Sequence, residues 1–357
     1  MNLQKSIKMK NSIMKYSLIA LLLMGFSMSS FAGNPDRAGS AGVGQLLINP
    51  WARSAGLANS NMASITGTEA VFSNVAGLVF LDQTELNISS TLYLVGSDIT
   101  VNSGAFGQKV GESGVIGISV MTMGFGEIAN TTVNNPEGEI GFFSPNYSNI
   151  GLSYAKEFSN SIYGGITFRV ISESISNVRS QGVAFDAGIR YVTGERDHVR
   201  FGIALKNVGP AMRFRGDGLS ITAIIPTTET EITMEQRSDK YELPTLVNIG
   251  FAYDFILNEK MDLTANGQFI SNSFTRDQFA VGAELDFNDA FQFRAGYLWE
   301  TDITSEDDRA TALTGPSAGL SVEFGVGSSE TVLGLDYSYR VTNPFNGIHS
   351  MGIHLDI

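Results

Sequence analysis

This chain has no cysteine, and its three histidines are the first test for an enzyme. His198 falls in a short turn, His349 near the outer end of the last alternating segment, and His354 on that segment's polar face. His354 and Asp356 share a face, which is the start of a serine, histidine and aspartate triad, but an inward histidine beside a carboxylate also serves as a plain hydrogen bond. No HExxH or comparable spacing occurs, so a zinc site has no support. Glu300, Asp302, Glu306, Asp307 and Asp308 form an acidic run of the type that binds calcium. It lacks the Asp-x-Asp-x-Asp-Gly order of an EF-hand and reads as a solvated loop. There is no P-loop, no glycine fingerprint at a strand-to-helix turn, and no cysteine to supply a thiolate or a disulfide. The expectation is a protein without catalytic residues, cofactor or metal.

The elements that position these residues are strands. In 183–191, Val183, Phe185, Ala187, Ile189 and Tyr191 share one face, and Ala184, Asp186, Gly188 and Arg190 share the other. The same split recurs in 199–206, where Arg200, Gly202, Ala204 and Lys206 form the polar face, and in 247–255, where Asn248, Gly250, Ala252 and Asp254 do. Segments of this kind cover 85–95, 99–109, 114–123, 147–158, 161–173, 180–191, 199–208, 245–256, 261–271, 275–287, 291–300, 314–324, 331–341 and 348–357. Most run to about 9 to 12 residues, the length of a tilted membrane strand.

Alternation alone does not separate a membrane barrel from a soluble sandwich. Loop lengths do. Connections after even-numbered segments are at most seven residues long, whereas those after odd segments include 124–146, 209–244 and 301–313. Short turns on one side, long loops on the other and an even strand count describe an outer-membrane barrel. The sequence therefore predicts an all-β fold, a fourteen-stranded antiparallel transmembrane β-barrel, with both termini on the short-turn, periplasmic side.

One stretch breaks the alternation. Asn49 to Leu81 is too apolar for a solvated linker and reads as a plug inside the barrel mouth, within an N-terminal plug or hatch region 33–84 ahead of the barrel proper, 85–357. Asn49 with Pro50 predicts a helix start, Gly56 closes a short helix that carries Trp51 and Arg53, and Asn74 caps a second helix over 75–79. The barrel's inward faces carry Arg169, Asp186, Arg190, Arg200, Lys206, Asp254, Glu284, Asp286, Arg294, Glu323, Asp336 and Arg340. Charges of both signs facing a lumen predict cross-strand ion pairs rather than an open ion path.

Before the plug, Lys5, Lys8, Lys10 and Lys15 precede an apolar run over 17–28 and a Ser30-Phe31-Ala32 cleavage pattern, which reads as a signal peptide over 1–32. The remainder holds 19 basic against 36 acidic residues, so nucleic acid is not an expected partner. Export to the outer membrane of a Gram-negative cell follows, with outer-membrane lipid as the surrounding partner.

Asn49-Pro50-Trp51-Ala52-Arg53-Ser54-Ala55-Gly56 and Asn74-Val75-Ala76-Gly77-Leu78 resemble the N-terminal signature of the PorV/PorQ family, itself similar to the FadL-type barrels. Further marks are Lys206-Asn207-Val208-Gly209-Pro210, Leu243-Pro244 and Arg294-Ala295-Gly296-Tyr297. The resemblance is closer to PorV and implies a component of the type IX secretion system of Bacteroidetes, which accepts secreted cargo by its C-terminal signal domain at the translocon and hands it to the attachment machinery. Cargo proteins and translocon subunits are then the implied partners. The FadL-type relatives imply an alternative, a transporter of hydrophobic small molecules; there an asparagine-proline-alanine turn matters in the plug, and Val75 stands here where the proline is expected. For a protein partner, the loop 209–244 is the expected contact: 221–225 and 230–236 predict a hairpin, and Met212, Phe214, Ile224 and Ile225 offer apolar anchors.

Overall fold

Fourteen strands close on themselves without a free edge in the computed structural model, which describes residues 37, 39–138, 140–225, 227, 230–327 and 331–357. The signal-peptide expectation lies outside the described residues. In chain order the strands are β1 Thr84–Tyr93, β2 Ile99–Val110, β3 Gly114–Gly124, β4 Ile128–Ala129, β5 Phe142–Phe143, β6 Asn146–Ser159, β7 Ile162–Ile175, β8 Val178–Thr193 and β9 Val199–Val208. They continue with β10 Ser220–Ile225, β11 Thr230–Glu235, β12 Leu246–Asn258, β13 Met261–Asn272, β14 Gln278–Phe287, β15 Phe291–Glu300, β16 Leu313–Gly325, β17 Val332–Thr342 and β18 Ile348–Asp356. β4 with β5 and β10 with β11 form separate two-stranded sheets in the loops; all the others belong to the barrel.

Every neighbour in the wall is antiparallel, and β1 closes on β18 from Glu85↔Asp356 to Leu92↔His349. Closure leaves no row of unpaired backbone groups, which is what a strand needs in order to sit in lipid. The outward faces are apolar and exposed: Ile88, Ile166, Ile203, Val281 and Met351 are each more than half exposed. Such a surface is costly in water and stable against acyl chains, so the wall is that of a membrane barrel. Rings gather on that outer face near the strand ends, for example Tyr253 with Phe255 at 4.5 Å and Phe279 with Trp299 at 5.8 Å between centroids.

The core lies inside the barrel, on one side of the plug. Trp51, Phe72, Leu78 and Leu81 of the plug pack against Val101, Val115, Met121, Tyr147 and Ile171 of the wall, and Trp51 meets Phe72 edge-on at 5.9 Å. The plug has one short α-helix, Ala52–Gly56, and 3-10 turns at Gly44–Leu47, Thr68–Phe72 and Val75–Phe80.

Two local expectations are corrected. Asn49 does not cap the first helix: its Oδ1 accepts from the Trp51 backbone N–H at 3.2 Å, an Asx turn that Pro50 favours, and Trp51 takes the N-cap position without a side-chain bond. The first described residues and the end of the last strand do not share a side. Residues 40–42 pair with Glu242 beside the outer end of β12, and Arg37 lies over the Phe274 ring at 4.3 Å, so this end of the plug rises to the long-loop mouth while β18 ends at the short-turn side. The alternation of the wall says nothing about which way a non-alternating segment threads it.

Candidate functional site

The plug meets the wall where the wall has no side chains. Gly107 faces Gly117 across β2 and β3, Gly165 faces Gly188 across β7 and β8, Gly202 faces Gly250 across β9 and β12, and Gly282 faces Gly296 across β14 and β15. These pairs form a belt inside the barrel. A methyl added at Gly117 would press on Leu78 at 3.0 Å, at Gly165 on Val75 at 3.1 Å, at Gly202 on Asn74 at 2.9 Å, and at Gly296 on the Ala58 backbone nitrogen at 2.6 Å. On β16, Gly319 lets the Gly56 backbone approach directly. At the one belt position of β13 there is an amide instead, and Asn266 Oδ1 accepts from the Ser64 hydroxyl at 2.7 Å.

Above and below these contacts, wall cations close the open carbonyls of the plug's turns. Lys206 donates to the Phe72 carbonyl at 2.5 Å, Arg169 to the Val71 carbonyl at 2.7 Å, and Arg190 to the Ile65 carbonyl. A turn end buried in a barrel has no water to satisfy its carbonyls, so a cation from the wall does what a cap does elsewhere. Arg169 also pairs with Asp186 at 2.8 Å, and Asp186 in turn accepts from the Asn207 backbone N–H at 2.7 Å. The guanidinium groups stack as well, Arg169 over Phe72 at 4.7 Å and Arg190 over Phe80 at 4.9 Å.

On the far side of the plug the inward charges form a chain. Arg294 pairs with Glu284 and donates to Ser321, Ser321 donates to Asp336, and Asp336 faces His354 Nδ1 at 2.9 Å. Glu323 lies 3.6 Å from His354 Nε2. Arg53 of the plug sits in the field of Glu69, Asp336, Glu284 and Glu323. His354 thus stands between two carboxylates, neither of them Asp356, and Ser321 gives its proton to Asp336 rather than to the histidine. That order does not activate a nucleophile. Arg200 pairs with Asp254, which adds a third cross-strand ion pair to those of Arg169 and Arg294. In the acidic run, Glu300 accepts from Gln278 at 2.8 Å and Asp302 pairs with Arg276 at 3.2 Å, so two of its carboxylates are tied to neighbouring side chains.

The residues proposed for a partner fall in different places. β10 and β11 form the expected hairpin, and Ile224 on it is exposed. Phe214 is half-buried against the Tyr241 ring at 5.7 Å. Met212 is not an exposed anchor: it is 2% exposed and occupies the space left by the missing side chain of Gly182. Tyr241 fastens this loop to the barrel by donating to Glu173 at 2.8 Å, and burial, with the bond to Glu173 adding to it, raises its hydroxyl above the ordinary range. The side chain of Ile225 lies outside the described residues; its backbone pairs with Thr230.

Between plug and long loops lies a cavity of about 470 Å³ that no sequence signal pointed to. Its floor is plug, Gln45, Asn49, Asn59, Phe72 and Ser73, and its walls are the outer parts of strands, including Asn248, Gln268, Gln278, Glu300 and Arg340. The ladder between β15 and β16 ends at Tyr297↔Pro316, because proline donates no hydrogen bond, and beyond that point Leu298 and Leu313 turn to the cavity. Gln45 Oε1, Asn59 Oδ1, Asn248 Oδ1, Gln268 Oε1 and Glu300 Oε1 are buried here without a hydrogen-bond partner among the described residues. Each such acceptor left unpaired costs roughly 1–3 kcal/mol.

No protein-family profile matches the chain, and no curated protein is similar to it. Among solved structures it is similar to the Pseudomonas putida toluene transporter TodX, with a TM-score of 0.55 at 11% identity over 86% of this chain and 97% of that one. It is also similar to the CymD monoaromatic hydrocarbon channel, with a TM-score of 0.53 at 11% identity over 87% and 97% of the two chains. A Pseudomonas aeruginosa FadL homologue gives 0.53 at 12% identity over 85% and 98%. None of these likenesses bears on PorV/PorQ in particular. At such identities a likeness carries architecture alone: the chain has the fold of the FadL-type outer-membrane barrels.

Proposed function

We propose that the chain is a non-enzymatic uptake barrel of the outer membrane, in which a small molecule enters a cavity on the long-loop side and the plug is the barrier to onward passage. The observation that carries this reading is the 470 Å³ cavity whose floor is the plug itself. A cavity of that size lies within the range of small-molecule sites. The neighbours of the same fold are described as hydrocarbon channels and a toluene transporter, which supports transport over other roles for this architecture. Passage requires the bonds of Arg169, Arg190 and Lys206 to the plug to be exchanged, since they fasten it across the lumen. Uptake of radiolabelled small solutes by proteoliposomes holding the purified protein tests the reading. Solute entry above that of empty liposomes is expected; equal entry overturns it.

A second reading is a type IX secretion component that binds cargo at the translocon, and one observation favours it. The β10 and β11 hairpin stands apart from the barrel ladder and exposes Ile221, Ile224 and Met234 by 48%, 67% and 44%. Apolar side chains held out on a hairpin are anchors for a protein partner. Capture of native complexes from outer membranes separates the two readings: a secretion component brings down translocon subunits or a cargo signal domain, and an uptake barrel comes down alone. Deleting residues 220–236 without effect on cargo secretion and attachment would sink the binding role of the hairpin.

A further inference from the structure

We infer that a cationic cleft on the outer face of β8, at the foot of the loop 209–244, binds the phosphate groups of outer-leaflet lipid. The inference is independent of the uptake reading. The cleft has a volume of about 720 Å³ and is lined by Arg179, Arg213, Arg215 and Lys240, with only uncharged residues beside them. Four cations without an acid stand out in a chain that holds 19 basic against 36 acidic residues after position 32. Arg179, Arg215 and Lys240 are exposed, and none of the four forms an ion pair among the described residues. Arg213 and Lys240 adjoin the bridge of Met212 with Tyr241, so both strands of the loop's base supply charge.

Two of the arginines are held together by the backbone. Arg179 and Arg215 exchange N–H to carbonyl bonds of 2.8 and 2.9 Å as an antiparallel bridge. Such a pair sets its Cα atoms about 5.5 Å apart with both side chains on one face. Like charges placed opposite in this way repel, and an anion between them removes the cost. Their face is the one turned to lipid. On β8, Arg179 continues the row of Phe185, Val183 and Gln181, which meets Phe168, Val170 and Ser172 across the ladder to β7. Phe185 is 53% exposed and Val170 44%, so the outer face turns from apolar to polar between Val183 and Gln181. Arg179 stands two residues farther out, about 7 Å along the strand, in the layer just outside the hydrocarbon where headgroups lie. On the long-loop side of an outer-membrane barrel that layer belongs to the outer leaflet. A phosphate monoester carries nearly two charges and three acceptor oxygens, which guanidinium forks bind with paired hydrogen bonds. A carboxylate brings half that charge, and a zwitterionic headgroup brings an ammonium that the four cations repel. The position at headgroup height, on the outside of the wall, favours lipid-borne phosphate over a free anion.

The test is titration of the full-length protein in detergent micelles, followed by thermophoresis, with bisphosphorylated lipid A, dephosphorylated lipid A, citrate and inorganic phosphate. The variants are Arg179→Gln with Arg215→Gln, and Lys240→Gln alone. The bridge between 179 and 215 is made by backbone atoms and survives the substitution, and heat-modifiable migration reports that each variant is folded. Arg196→Gln with Lys260→Gln is the control, since it removes the same charge from exposed residues in two short turns on the opposite side. Saturable binding of bisphosphorylated lipid A to parent and control is expected, weakened about tenfold in the arginine double variant and less in Lys240→Gln. Equal binding of the two lipids overturns the phosphate assignment. Equal binding by the arginine double variant and the control overturns the placement in this cleft. Citrate or inorganic phosphate binding as tightly as lipid A shows a free-anion site and overturns the lipid source, and binding of none of the four overturns the inference outright.

Discussion

Asn74 joins plug to wall through one amide: its Nδ2 donates to the Ile189 carbonyl of β8 at 3.2 Å while its Oδ1 accepts from the Ala76 backbone N–H at 3.2 Å. The side chain caps the Val75–Phe80 turn and ties that turn to the barrel, and it fits because Gly188 and Gly202 beside it have no side chains.

Asn74→Ala removes both bonds and leaves the fully buried Ala76 N–H unsatisfied. The expected cost is about 1 kcal/mol or somewhat more, confined to the plug. Heat-modifiable migration should be unchanged, while limited proteolysis should cut within 49–81 faster than in the parent. Equal resistance of that segment in the two proteins would mean that the glycine belt alone holds the plug.

The belt itself is tested at Gly296. A methyl there meets the backbone of Leu57 and Ala58, which cannot rotate away as a side chain does, so Gly296→Ala should shift the plug and raise the ion conductance of the barrel in planar bilayers. Gly267→Ala is the matched control, since nothing lies within 4 Å of a methyl at that position. The two variants giving the same conductance would show that close packing does not seal the plug.

Much of the wall was legible in the sequence because a membrane strand must show both faces. All fourteen barrel strands fall within a few residues of the alternating segments, and the hairpin at 220–235 was marked by two short β-branched runs. The inward position of Gly188, Gly202 and Gly250 was visible in the same alternation. Their meaning was not, because a belt appears only when register places Gly202 opposite Gly250 and Gly165 opposite Gly188. Cross-strand ion pairs among the inward charges were expected, and Arg169 with Asp186 is one, whereas the bonds of Arg190 and Lys206 to plug carbonyls were not expected. Backbone acceptors leave no trace in a sequence. The cavity was hidden for a similar reason: Gln45, Asn248 and Glu300 lie far apart along the chain and come together only through the path of the plug.

Arg169→Met should be the most damaging of the single ion-pair changes. It strands the Asp186 carboxylate, which is 4% exposed, and frees the Val71 carbonyl at the same time. Breaking a buried pair in this way costs about 3–5 kcal/mol. Arg169→Met with Asp186→Leu leaves no orphaned charge and should recover part of that loss, read as the urea midpoint of the barrel in detergent. A double variant no more stable than the single one would assign the loss to the plug bond rather than to the pair.

Removal of residues 220–236 should leave the barrel's urea midpoint and heat-modifiable migration within error of the parent. Among the described residues its two strands pair with each other, and a backbone bond joins Gln236 to Leu219 at its base. A lowered midpoint would mean that the hairpin braces the wall.

The plug as the barrier to uptake is tested most directly by locking it. The chain has no cysteine, so Ser64→Cys with Asn266→Cys gives two unique thiols at a contact between plug and wall. Joining them with a short reducible cross-linker and measuring solute entry into proteoliposomes before and after reduction gives the answer. Entry blocked while the link is intact and restored when it is reduced is the result expected here; entry that proceeds at the same rate with the plug locked to β13 would contradict it.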